Sequence, residues 1–156
     1  MRHGSRAVLA LSAGLAGAAG AQNAPSPSPS PAPVPIHVTV TGLRAVHGQI
    51  LACLVNTAAA FPDCSRDPAA RKLAVPVRAA TVELDFGVVP AGTWAVAVVH
   101  DENGNGRMDK RLIMPREGYG FSRDAPVRMG PPSFRSAAFA VGAAPVRHSL
   151  RMRYMF

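Results

Sequence analysis

Apolar side chains recur at every second residue along three stretches of this chain, and that period limits what it can fold into. Ile36, Val38 and Val40 alternate with His37, Thr39 and Thr41. Val82, Leu84 and Phe86 alternate with Thr81, Glu83 and Asp85. Val146, His148, Leu150, Met152, Tyr154 and Phe156 alternate with Arg147, Ser149, Arg151 and Arg153. Successive side chains of a strand point to opposite faces, so each stretch is predicted to be a strand with one buried face. Gly48–Asn56 and Thr93–His100 are apolar in both phases, as expected of central strands covered on either side. Leu73–Arg78 and Ser136–Val141 are weaker strands, and Pro76, which has no N–H, puts the former at an edge. No long window has a helical period; Ala58–Phe61 or Pro68–Lys72 has room for one helical turn. Short strands joined by Gly- and Pro-rich connections predict an all-β domain. The expected form is a single antiparallel β-sandwich of about seven strands, immunoglobulin-like or transthyretin-like, with one long loop.

Residues 1–21 read as a secretory signal peptide. Arg2 and Arg6 give a basic start, Ala7–Gly20 is apolar but too short to span a bilayer, and Ala19-Gly20-Ala21 is a small-x-small cleavage pattern. The mature chain is expected to begin near Gln22. Residues 22–35 follow as a Pro/Ser-rich linker, in which alternating prolines remove backbone donors and favour an extended spacer. Residues 36–156 are long enough for one core of ordinary size. No later segment is apolar enough to cross a membrane as a helix, so no transmembrane segment is expected in the mature chain. Losing Arg2 and Arg6 lowers the formal charge from +8 to +6. The remaining positive residues are scattered, apart from a modest group at Arg147, Arg151 and Arg153. Nucleic acid is not expected as a partner of an exported chain, and the charge favours nonspecific attraction to an anionic envelope surface. The expected location is periplasmic or secreted. Cys53 and Cys64 are the only cysteines, and an oxidising compartment lets them bond. Their short loop limits the entropic gain to about 2–3 kcal/mol.

Oxygen side chains recur at alternate positions after His100: Asp101, Asn103, Asn105, then Asp109. Gly106 sits where the chain must turn sharply. In calcium loops, positions 1, 3, 5 and 9 offer side-chain oxygens and position 7, here Arg107, a backbone carbonyl. Position 12 is Leu112 rather than a bidentate acid, so Glu117 would have to fold back to complete the set. Arg107, Lys110 and Arg111 oppose a cation. The expectation is a calcium site of weak affinity, about 10⁻⁴–10⁻³ M. The competing expectation is a metal-free turn network, since Asn103-Gly104 and Asn105-Gly106 are strong turn dipeptides in their own right.

The segment from Leu112 to Phe134 is expected to be the long loop. Glu117, Tyr119, Phe121, Arg123 and Phe134 are its candidate ligand-binding residues, with aromatic faces stacking on an envelope polymer, a sugar or a peptide while the two charges orient it. Against this stands a packing role, in which the three aromatics plug one end of the sandwich. No catalytic residue is assigned. His100 and Asp101 are strand neighbours that point apart, no metal-ligand histidine spacing occurs, and no Gly-x-Ser-x-Gly elbow is present. Glu117 with Asp101 or Asp109 leaves a small periplasmic hydrolase as a minor alternative.

Val89-Pro90-Ala91-Gly92-Thr93-Trp94-Ala95-Val96, then His100–Gly106 with Asp109, then Pro115-Arg116-Glu117-Gly118-Tyr119-Gly120-Phe121-Ser122, then Gly130-Pro131-Pro132-Ser133-Phe134 with Ala137 and Phe139 form an ordered set of motifs. In that order they resemble one bacterial exported family, domain of unknown function 2141 (DUF2141). The resemblance covers nearly all of residues 36–156 and implies no activity. The chain departs from the family at Ile113, where a glycine usually precedes the proline by two residues. The Pro-Ala-Gly-Thr-Trp turn also resembles, at the level of fold alone, transthyretin-like and collagen-adhesin B-type sandwich modules. Together these readings predict an exported binding or scaffolding domain with a structural calcium loop, or a purely structural envelope protein without a ligand.

Overall fold

The computed structural model describes residues 30–156. The expected leader and residues 22–29 of the linker lie outside the described residues. Ten strands follow in chain order: β1 (Val34–Thr41), β2 (Gln49–Val55), β3 (Arg71–Pro76), β4 (Val82–Val89), β5 (Gly92–Asp101), β6 (Lys110–Arg111), β7 (Met114–Pro115), β8 (Gly118–Phe121), β9 (Phe139–Val141) and β10 (Val146–Arg151). One sheet has the order β10-β1-β4, the other β3-β2-β5-β8 with β9 also on β5, and β6 and β7 form a separate hairpin. The fold is all-β and sandwich-like, as the alternation predicts.

The inner faces carry that alternation. Ile36, Val38 and Val40 of β1, Val82, Leu84 and Phe86 of β4, and Leu150 of β10 meet Ile50, Ala52 and Leu54 of β2 and Trp94, Val96 and Val98 of β5 in one buried cluster. Each such aliphatic side chain contributes about 1.5–3 kcal/mol when fully buried. Trp94 is core, and its indole N–H reaches the Pro90 carbonyl at 3.1 Å. β5 is the central strand expected from its unbroken apolar run. Its second face, with Ala95 and Ala97, is covered by Tyr119, Phe121, Ala125 and Ala137. β2 is bonded on both sides, but its outward Gln49, Leu51 and Cys53 are only half-buried. β3 is the edge that Pro76 requires.

Three features differ from expectation. The β1–β10 pair is parallel, Ile36 opposite Val146 through Thr41 opposite Arg151. The chain crosses between sheets after β9 and so enters beside the start of β1. Second, Leu112–Phe134 is not one long loop. It contains β7, β8 and the 3₁₀ turn Ser122–Asp124. The strand there is invisible to hydropathy because its inward positions are Gly118 and Gly120. A Cβ on Gly118 would lie 2.4 Å from Tyr154 Cε1, and one on Gly120 would lie 2.7 Å from Leu150 Cδ1. Third, Phe134–Ala137 is a helical turn capped by Ser133, so the expected strand from Ser136 shrinks to Phe139–Val141. Of the two candidate helical turns, Ala58–Ala60 forms as 3₁₀, while Arg71 and Lys72 join β3.

The two sheets are tied along one side. Past β10 the chain bridges to β8, with Tyr119 N–H on the Arg153 carbonyl at 3.0 Å and Arg153 N–H on the Tyr119 carbonyl at 2.8 Å. β5 shares one edge between β9, through Gly92–Trp94, and β8, through Ala97–His100. Ser122 serves the gap between them: its buried hydroxyl accepts the Val96 N–H at 2.9 Å and donates to the Ala137 carbonyl at 2.6 Å. Cys53 and Cys64 are disulfide-bonded, joining β2 to the 56–70 connection.

Candidate functional site

β5 ends in two buried polar residues, His100 and Asp101, and strand geometry sends them to different places. Asp101 faces the loop that follows. Its Oδ1 accepts the Asn105 N–H at 3.1 Å, and its Oδ2 accepts the Gly106 N–H at 2.7 Å and Gln49 Nε2 at 2.8 Å. Asn103 Oδ1 accepts the Asn105 N–H, and Asn105 Oδ1 accepts the Arg107 N–H, both at 3.1 Å. Gly104 and Gly106 adopt positive φ, as the turn dipeptides require. Asp109 closes the loop, receiving Asn103 Nδ2 at 2.7 Å and Asn105 Nδ2 at 3.1 Å. Arg107 lies 3.6 Å from the same carboxylate. Glu117 does fold back: it is buried and accepts the Glu102 N–H at 3.2 Å and the Asp109 N–H at 2.9 Å.

The alternating residues thus converge, but on backbone N–H groups and one another. Among the described residues, no group of three or more His, Cys, Asp or Glu side chains is arranged to hold a metal ion. Proton affinities follow the bonding. Burial pushes the Asp101 carboxyl up, but bonds from Gln49 and from the Gly106, Asn105 and Gly104 amides outweigh it and hold the group below the usual carboxylate range. The amides of Asn105, then Asn103, hold Asp109 low. Glu117 is the exception, raised chiefly by burial and also by its neighbours Asp101 and Asp109.

His100 is held by a directional chain. The Arg44 N–H donates to Tyr154 Oη at 3.2 Å, Tyr154 Oη lies 2.8 Å from His100 Nδ1, and His100 Nε2 lies 2.9 Å from the His47 carbonyl. A carbonyl only accepts, so Nε2 carries a proton, and in the tautomer with that proton alone Nδ1 takes the tyrosine O–H. Arg44 grips Glu102 with a two-pronged contact, Nε to Oε1 at 2.9 Å and Nη2 to Oε2 at 2.5 Å, with its guanidinium 4.5 Å over the Tyr154 ring. That contact draws the Glu102 carboxyl down. Adjacent to His100 in sequence, Asp101 shares no hydrogen bond with it.

The five candidate ligand-binding residues do not form one exposed face. Tyr119 and Phe121 are buried on the outer side of β8, 6.0 Å apart between ring centroids. Phe121 packs on Phe61 at 5.7 Å, and half-buried Phe134 meets Phe61 at 6.0 Å. Arg123 turns to the Ala138 carbonyl at 3.1 Å, away from Glu117. The packing alternative describes Tyr119 and Phe121 better than stacking on a ligand does. Two shallow concavities, about 360 and 520 Å³, are lined respectively by the Asn56–Ala69 stretch and by Arg44, Arg111, Arg116 and Phe156; none of the five lines either.

Sequence reasoning missed Gln49, Arg44, Glu102, Tyr154 and Phe61. Gln49 was recoverable once β2 and β5 are paired, because it stands directly opposite Asp101. Tyr154 shares the inward phase of Leu150 and Met152. Arg44 and Glu102 have no local signal, since only the tertiary fold brings them together.

The family described as an uncharacterized protein conserved in bacteria (DUF2141) matches residues 38–149, most of the domain. No curated protein and no solved structure matches the chain.

Proposed function

The chain belongs to the DUF2141 family, and we propose that it is an exported scaffolding domain of the cell envelope, preceded by a Pro/Ser-rich spacer that ends where β1 begins at Val34. One observation carries this reading: the residues best suited to grip a ligand are spent on the domain itself. Tyr119 and Phe121 seal the second face of β5, and Glu117 and Asp101 hold backbone amides. A domain of this kind offers an outer surface rather than an enclosed cleft. Fractionation of the producing cells tests it. The protein should sediment with the envelope, and simple sugars or short peptides should leave its melting temperature unchanged. Recovery in the cytosol, or a large rise in melting temperature with one small organic ligand, refutes it.

A second reading, calcium in the Asp101–Asp109 loop, is favoured by the charge on Glu117. Asp101, Asp109 and Glu117 crowd one loop, and burial, with repulsion from the two aspartates added to it, raises Glu117. A divalent cation would relieve this. Asn103 and Asn105 would swing their amide N–H groups off Asp109, and the Arg107 carbonyl would serve as the neutral ligand at position 7. Millimolar calcium should then raise the melting temperature, magnesium less so, and Asp101→Ala should abolish the response. A flat titration to several times the weak-site range of about 10⁻³ M leaves the loop as a metal-free turn network.

A further inference from the structure

The β6–β7 hairpin belongs to neither sheet, and its tip is apolar. Leu112 is 95% exposed and Ile113 90% exposed. No core contact accounts for them. Leu112 also sits at φ 57°, a left-handed conformation that a branched side chain rarely adopts. Other exposed apolar residues, such as Val46, Val88 and Met129, occur singly in the sequence and are ordinary surface, while Met155 and Phe156 form a second consecutive exposed pair that is less exposed than the tip. The hairpin tip differs in being almost fully exposed and flanked by cations in the sequence. Lys110 and Arg111 precede it and Arg116 follows. Among the described residues, none of these three makes an ion pair. Arg111 and Arg116 line the concavity of about 520 Å³ together with Arg44 and Phe156, and Phe156 is 59% exposed. An aromatic side chain therefore joins the same end of the molecule.

We infer that this end docks on an anionic lipid bilayer, with Leu112 and Ile113 entering the boundary between headgroups and acyl chains while Lys110, Arg111 and Arg116 meet the lipid phosphates. The charge selects the partner, because unpaired cations around an apolar tip complement a surface whose headgroups are negative and whose interior is apolar. The shape selects it too. Two residues on a convex turn bury too little for a specific protein interface, whereas a fluid bilayer needs no matching cavity. The inference is independent of the scaffolding reading, since envelope association could arise through a polymer or a protein instead.

The test is sedimentation with purified vesicles, using the chain without residues 1–21 so that the apolar leader contributes nothing. The protein should bind phosphatidylglycerol–phosphatidylcholine vesicles, should bind phosphatidylcholine alone far less, and should be released by salt. Leu112→Ser with Ile113→Ser should weaken binding about tenfold or more, equivalent to about 1.4 kcal/mol, without changing the melting temperature, since both side chains are exposed. Arg111→Gln with Arg116→Gln should abolish the preference for anionic lipid. Failure to bind anionic vesicles, equal binding to both compositions, or undiminished binding by the Leu112/Ile113 variant would each overturn the inference. So would retention on envelope protein with no binding to vesicles.

Discussion

At the scale of single residues, Tyr154 and Glu117 have jobs that only their surroundings define. Tyr154 Oη is the partner of the buried His100 Nδ1, and its donor in the tautomer with the proton on Nε2. Tyr154→Phe keeps the ring under Arg44 but leaves that nitrogen unpaired. The expected loss is about 1–3 kcal/mol, the cost of an unsatisfied buried polar group, read as a lower denaturant midpoint. An unchanged midpoint would show that water replaces the hydroxyl. Glu117 sets a pH dependence of definite sign. Its folded-state proton affinity is raised, so the folded state favours the protonated form. The associated stability is fully present below the unfolded carboxylate value, about 4.3, and is lost as pH rises through the higher folded value. Asp101, Glu102 and Asp109 are lowered and act in the opposite sense, losing stability as pH falls through their folded values. Glu117→Gln isolates the first effect. The melting temperature of the parent minus that of the variant should fall as pH rises above about 4.3, and a gap that is flat or grows would contradict the burial and repulsion described for this carboxylate.

At the scale of elements, β8 joins the core to the candidate loop. Its glycines face Tyr154 and Leu150, its aromatics face outward under the 122–137 segment, and Glu117 just before it fixes the Asp101–Asp109 loop. Gly118→Ala should therefore be costly. The added methyl meets a tyrosine ring held at its hydroxyl by His100 and on its face by Arg44. Such overpacking costs about 1–3 kcal/mol. Gly142→Ala, where nothing lies within 4 Å and φ is not positive, is the control and should be near neutral. Equal melting temperatures for the two variants would mean that β8 yields easily and is not a fixed support. This element also marks where reading by pattern fails. Alternation finds β1, β4 and β10 because large apolar residues mark one phase. β8 has its inward phase filled by glycines, which carry no hydropathy signal, so it reads as loop.

At the scale of the whole molecule, the described domain contains no helix long and apolar enough to cross a membrane, and its Cys53–Cys64 bond fits an oxidising compartment. The export proposal can be checked on protein taken from its producing cell. Intact-mass analysis should find a chain beginning near Gln22, with both cysteines resistant to alkylation until a reductant is added. Full-length chain with two reactive thiols would sink it.

The sequence alone determined the inner faces of the sandwich, the doubly covered β5, the edge position of β3 and the Cys53–Cys64 pairing, because alternation, a missing N–H and a lone cysteine pair are local facts. The oxygen-rich turn after His100 was equally legible, down to the positive φ of Gly104 and Gly106. Only the tertiary structure decided how those oxygens are used. It placed Gln49 opposite Asp101, brought Glu117 back over Asp109, and buried Tyr119 and Phe121 rather than exposing them. It also made β10 parallel to β1 and left Leu112 and Ile113 bare on a hairpin outside both sheets. Hydrogen-bond partners and exposure depend on which distant segments meet, and no local period encodes that.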